Sequence, residues 1–304
     1  MWHPVLTRNG FKGSMVNILL FGANGQVGWE LCRSLLPVGE LTALAREHCD
    51  FTNKDMLVNS VREVQPDIIV NAAAYTAVDK AEEDVATAQL INTGAPAILA
   101  DEAKSLGALL VDYSTDYVFD GTKQEPYVET DEINPLNEYG RSKLAGQHAI
   151  ENSGCRHLIF RVSWVYSSRG NNFVKTMLRL GEQRNELRVV SDQVGSPTPA
   201  DLIADVTAQA LTLIRTGKGE EGLFNLVPAG ETSWYGFADE IFSHAAKIRD
   251  FKAPELAPVS TSEYPAPARR PLNSRLDTAK LEHAFGVCMP AWQIPMKRII
   301  EEII

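Results

Sequence analysis

Little in this chain points to an oxidising compartment or a membrane. Four cysteines occur, Cys32, Cys49, Cys155 and Cys288, and no two have the spacing of a zinc site or a redox pair. They read as reduced thiols, with Cys32 a small hydrophobe in a helical pattern. No apolar run reaches the ~18 residues that cross a bilayer. Residues 1–14 lack the apolar core of a signal peptide; they read as a disordered extension outside the fold, with Met15 as the natural start. The expectation is a cytoplasmic protein. The six histidines show no metal-ligand spacing, and His148 and His157 read as surface or core residues. Positive charge is also short. Lysine and arginine number 29 against 39 acids, a net charge of −10. Such a surface repels nucleic-acid phosphates. It does not exclude a small anionic ligand, which loops and helix ends can bind.

What is present is ordinary globular composition, 44% hydrophobic over 304 residues, enough for a sizeable core. Apolar runs at 16–21, 41–45, 67–71, 108–113 and 157–162 alternate with helical patterns at 26–36, 54–63, 86–106 and 139–151. Strands separated by helices imply parallel crossovers, and runs without alternation imply strands covered on both faces. This predicts an α/β fold, a doubly wound parallel sheet of the Rossmann type over residues 15–165. Residues 166–304 are predicted to form mainly a smaller substrate-binding lobe, interleaved in part with the first. Helices are expected at 173–183, 201–213, 234–246 and 292–303, strands at 187–190 and 223–226, and irregular chain through the proline-rich stretch 254–271.

Two motifs carry chemistry. Gly22-Ala-Asn24-Gly25-Gln26-Val27-Gly28 joins the first strand to the first helix. Glycines there let backbone approach a pyrophosphate, and a helix N-terminus offers free N–H groups to its charge. The second strand ends at Arg46 rather than at an acid, which suits a 2′-phosphate and favours NADPH over NADH, unless Arg46 is only a solvated charge. Asp50 and Phe51 suit the adenine edge, although Asp50 equally suits a helix cap. Ala72, Ala73 and Ala74 follow the third strand and leave room for a flat ligand.

The second motif is Tyr139-Gly-Arg-Ser-Lys143, whose i and i+4 side chains share a helix face. An ammonium beside a phenol favours the phenolate and is expected to lower its pKa from ~10. The phenol can then pass a proton to a carbonyl oxygen as hydride arrives at carbon. Thr115, at the end of the fourth strand, supplies a hydroxyl for the same oxygen.

Ser-Thr-Asp-Tyr-Val-Phe-Asp-Gly (114–121), Asn-Ala-Ala-Ala-Tyr-Thr-Ala-Val-Asp-Lys-Ala-Glu (71–82), Pro-Leu-Asn-Glu-Tyr-Gly-Arg-Ser-Lys (135–143), Arg-Val-Ser-Trp-Val-Tyr (161–166), Asp-Gln-Val-Gly-Ser-Pro-Thr (192–198) and Arg-Pro-Leu-Asn-Ser-Arg-Leu-Asp (270–277) together resemble the dTDP-4-dehydrorhamnose reductase family of extended short-chain dehydrogenases. The resemblance runs from Met15 to the end. It implies reduction of a 4-keto sugar nucleotide to dTDP-L-rhamnose, a cell-surface polysaccharide precursor. It makes Thr115, Tyr139 and Lys143 catalytic, and Thr76, Val78, Asp116, Tyr117 and Trp164 substrate-contacting. Trp164 is open to a core reading. Arg275, beside Asn273 and Ser274, suits a diphosphate or a structural salt bridge. Some family members are homodimers with structural magnesium held by three acids, and the matching positions are Glu30, Asp201 and Glu302, the second a glutamate in the family. Two rivals remain: a related nucleotide-sugar epimerase, dehydratase or epimerase–reductase, and a catalytically silent NADP-binding regulatory subunit. The absence of a glutamate after Asp116 weighs against a dehydratase.

Overall fold

The computed structural model describes residues 16–304; the expectations for residues 1–14 and Met15 lie outside the described residues. The chain forms β1 (Asn17–Phe21), α1 (Gln26–Ser34), β2 (Glu40–Leu44), α2 (Lys54–Val64), β3 (Ile68–Asn71), α3 (Val78–Ala81), α4 (Val85–Gln89), α5 (Ala95–Leu106), β4 (Leu109–Thr115), α6 (Glu138–Ser153) and β5 (Arg156–Val162). There follow β6 (Val165–Tyr166), α7 (Phe173–Gln183), β7 (Glu186–Val190), β8 (Val194–Gly195), β9 (Thr198–Pro199), α8 (Ala200–Arg215), β10 (Gly222–Asn225), β11 (Thr232–Ser233), α9 (Trp234–Ile248), β12 (Glu255–Val259), α10 (Ala279–Phe285) and α11 (Gln293–Ile303). Among the described residues no helix is long and apolar enough to cross a membrane.

Six strands make one parallel sheet in the order β2-β1-β3-β4-β5-β10. Alternate residues of β1 go to opposite faces. Ile18 and Leu20 join a core closed by Leu31 of α1, Leu35 at the cap of that helix, and Ile203, Ala204 and Leu211 of α8. Leu19 and Phe21 join the other, closed by Leu57 and Val61 of α2 and Leu99 and Ala103 of α5. Each such side chain, fully buried, contributes roughly 1.5–3 kcal/mol. A third core lies outside the sheet, where Val174 and Leu178 of α7 meet Phe237 and Ile241 of α9 and Met296 and Ile300 of α11.

The sheet order reverses at β1. The chain leaves it toward β2 on one side and returns as β3 on the other, so the loops after β1 and β3 part and open a crevice at their carboxyl ends. Two expectations are corrected. The long helix over 86–106 is interrupted by a π-helical turn, Leu90–Gly94. The stretch 254–271 is not wholly irregular, because β12 pairs with β7 in parallel; its Pro258 is tolerated in a two-stranded ribbon that offers a free edge.

Candidate active site

The turn after β1 is built for close approach. Gly22 has φ +81°, and a Cβ there would lie 2.7 Å from the backbone of Ala72 and Ala73. A Cβ on Gly28 would lie 2.0 Å from the Gly22 carbonyl oxygen. Only glycine lets these segments touch. Gly25 is the N-cap of α1 and supplies no side-chain cap, so the first N–H groups of the helix point at the crevice unclaimed by a capping side chain. Gln26 turns away and accepts hydrogen bonds from Ser167 Oγ at 3.1 Å and Asn172 Nδ2 at 2.9 Å, tying the turn to the loop before α7. Asn24 is exposed, Val27 half-buried, and Ala72, Ala73 and Ala74 form the opposite rim. A tight glycine cradle, free helix N–H groups and a rim of small residues fit the pyrophosphate of a dinucleotide.

At the rim, Arg46 is exposed just beyond β2. Asp50 Oδ1 accepts from the Thr52 N–H and hydroxyl, both at 2.9 Å, which holds its carboxyl below the usual range. Phe51 is buried and packs edge-on against Phe21 at 5.4 Å, so it supports the rim from within the core.

Thr115 closes β4, and its hydroxyl donates to Asp116 Oδ1 at 3.0 Å and accepts from the Tyr117 N–H at 3.2 Å. Helix α6 is capped by Asn137, whose side chain accepts from the Gly140 N–H at 2.8 Å. A Cβ on Gly140 would lie 2.3 Å from the Tyr117 carbonyl oxygen. The glycine between Tyr139 and Lys143 therefore seats the helix directly on the end of β4. It brings Tyr139 beside Thr115 and edge-on to Tyr117, with ring centroids 5.6 Å apart. Burial pushes the Tyr139 phenol up to about 12, with the neighbouring Thr115 hydroxyl pulling it down and Asp116 adding to the rise. The expected lowering by Lys143 is not what this geometry gives. The lysine, itself only 4% exposed, has its Nζ 3.6 Å from Asp112 Oδ1 on β4. Asn71, at the end of β3, donates to Asp112 Oδ2 at 2.6 Å and accepts from the Ala73 N–H at 3.2 Å.

The residues expected at the substrate side divide between this group and its flanks. Asp116 is 2% exposed, its Oδ2 lacks a hydrogen-bond partner, and burial pushes it up to about 6. Burial likewise raises Tyr117. Thr76 is exposed on the loop after β3, and Val78 is half-buried at the start of α3. Trp164 has φ +47°, strained for a residue with a Cβ, and stacks on Trp234 with centroids 3.6 Å apart. Arg275 is paired with Glu231 at 2.8 Å and with Asn273 Oδ1 at 2.8 Å, the salt-bridge arrangement. The three candidate metal ligands do not fit a bound cation. Glu30 faces Arg33 at 3.4 Å, while Asp201 and Glu302 share Arg298, the latter at 2.8 Å. Among the described residues no group of three such ligands comes together.

The model of the RmlD substrate binding domain family matches residues 16–304. The chain belongs to this family. A family relative, the dTDP-4-dehydrorhamnose reductase of Salmonella typhimurium, is 50% identical over 95% of this chain and 98% of its own length. The reductase of that name from Escherichia coli K12 is 48% identical over the same shares. The crystal structure of dTDP-4-dehydrorhamnose reductase from Bacillus anthracis in complex with NADP is 37% identical, superimposes with a TM-score of 0.87 and covers 95% of this chain and 99% of that one. Within the family fold, residues that sequence reasoning passed over stand next to those it found. Asp112 contacts the lysine, and Asn92, inside the π turn, accepts from the Tyr75 N–H at 2.8 Å and donates to Ser142 Oγ at 3.0 Å. An acid inside an otherwise apolar strand was the available signal for the first. Nothing in the sequence marked the second.

Proposed function

We propose that the protein is an NADPH-dependent reductase that converts the 4-keto group of dTDP-4-dehydrorhamnose to the alcohol of dTDP-L-rhamnose, working in the cytoplasm. The observation that carries this reading is the seating of Tyr139 beside Thr115, with Lys143 one helical turn on and linked through Asp112 and Asn71 to the rim of a glycine cradle. NADPH, when bound, supplies the hydride to the carbonyl carbon.

The chain's own residues do the rest. Gly22, Gly25 and Gly28 with the α1 N–H groups hold the pyrophosphate, and Ala72–Ala74 leave room for the ring system. Arg46 supports a preference for the 2′-phosphate. At neutral pH a phenol pushed up to about 12 is almost wholly protonated, so Tyr139 holds at its oxygen the proton that the carbonyl oxygen takes up. The Thr115 hydroxyl holds that oxygen as charge develops on it. The Lys143 ammonium favours the phenolate left behind and holds the nicotinamide ribose. Thr76, Val78, Asp116, Tyr117 and Trp164 bind and orient the sugar, the indole offering an apolar face to the deoxy carbon.

The test is NADPH oxidation with the dTDP-4-keto sugar, wild type beside Tyr139→Phe. Loss of the proton donor is expected to lower kcat by about 10²–10⁴-fold, with NADPH affinity retained. Equal rates in the two proteins would refute the chemistry, and no turnover in either would leave the silent NADP-binding subunit.

A further inference from the structure

A buried ammonium is expensive. Taking Lys143 out of water is unfavourable unless a charge partner and hydrogen bonds replace the solvent. Lys143 is 4% exposed, and its ion-pair partner among the described residues is Asp112, itself 3% exposed. The 3.6 Å separation is an ion pair rather than a direct hydrogen bond. Asp112 is not free to rotate away. Asn71 Nδ2 claims Oδ2 at 2.6 Å, which leaves Oδ1 turned toward the lysine. Asn71 is fixed in turn, because its Oδ1 accepts from the Ala73 N–H on the rim of the glycine cradle. A continuous run of contacts thus joins the cofactor rim, through an amide and a carboxylate, to the lysine. Burial raises the Asp112 pKa, and Lys143 and then Asn71 offset part of that rise.

We propose that Asp112 is a positioning residue of the reductase site: oriented by Asn71, its carboxyl group is the partner that holds the Lys143 side chain in place. The proposal rests on the reductase reading above. Asp112 acts through the lysine.

Acting through another residue has a signature that a structural role lacks. The experiment is a double-mutant cycle over wild type, Asp112→Asn, Lys143→Met and the double variant. It reads kcat for NADPH oxidation with the dTDP-4-keto sugar and the NADPH dissociation constant by fluorescence, which needs no turnover. Asparagine keeps the shape and removes the charge. In the Lys143 background it is expected to lower kcat roughly 10- to 100-fold, the scale set by a catalytic group misplaced by about 1 Å. KM for the sugar nucleotide should move by no more than about threefold. In the Lys143→Met background the same change should alter kcat and NADPH affinity less than about twofold. Equal losses in both backgrounds would overturn the proposal while leaving the reductase reading intact. A wild type without turnover would remove that reading, and the proposal with it. If Asp112→Asn does not fold by circular dichroism, Asn71→Ser serves in its place. It keeps the carboxylate and removes the amide that orients it, and its loss in kcat should likewise vanish when Lys143 is methionine.

Discussion

At Asp116 a carboxyl group sits 2% exposed with one oxygen unpartnered, and burial holds its pKa up to about 6. Between the ordinary carboxylate range and that value, the folded chain keeps a proton that the unfolded chain has released. Stability from this group is therefore full at low pH and is lost as the pH rises through about 4 to 6, by about 3 kcal/mol for a shift of this size. Asparagine carries no such dependence. Urea denaturation should show Asp116→Asn gaining on the wild type as pH goes from 4 to 8; a constant offset would contradict the assignment. Such a residue was legible only in part. The Thr-Asp-Tyr sequence named Asp116, but the burial that unsettles its charge comes from packing the sequence does not state. Asp112 was less legible still. It stands inside the apolar run of β4 and reads as strand, and its partner on α6 is 31 positions away.

Helix α6 shows how one element places a site. Gly140 lies against the Tyr117 carbonyl so closely that a Cβ would fall 2.3 Å from the oxygen. In an unconstrained helix, glycine to alanine gains roughly 1 kcal/mol. Here the added methyl meets backbone, and overpacking typically costs 1–3 kcal/mol, occasionally more. We expect the clash to win. Gly140→Ala should lower the thermal midpoint and cut kcat by more than about tenfold, since the helix can relieve the contact only by carrying Tyr139 away from Thr115. A variant as active and as stable as wild type would show that the contact is soft. Most elements were readable from apolar runs and helical patterns, and α7 begins and ends where the sequence predicts. The π turn was not, because Leu90–Gly94 keeps a helical pattern and differs only in how its backbone closes. Asn92 uses that wider turn to reach Tyr75 and Ser142 at once, binding the loop after β3 to the catalytic helix.

Over the whole molecule the sequence divides more readily than the structure does. A break near residue 165 separates the patterned half from the looser one, yet β10 pairs with β5 and α8 packs on α1 in the central sheet. A fragment of residues 16–165 would leave Leu158, Phe160 and Val162 of β5 without the side chains of α8 and β10 that cover them. Exposing three such side chains costs about 5–9 kcal/mol, comparable to the net stability of a whole domain. The fragment is expected to show no cooperative urea transition by circular dichroism, and the full chain to show one. An independently folding fragment would establish two autonomous units. Across the same seam lies the stacked pair of Trp164, just beyond β5, and Trp234, at the head of α9, their planes nearly parallel at 10°. Two indoles so close share their electronic excitation. A circular-dichroism couplet in the far ultraviolet, which no isolated tryptophan can produce, is then the expected optical mark of the two halves being joined.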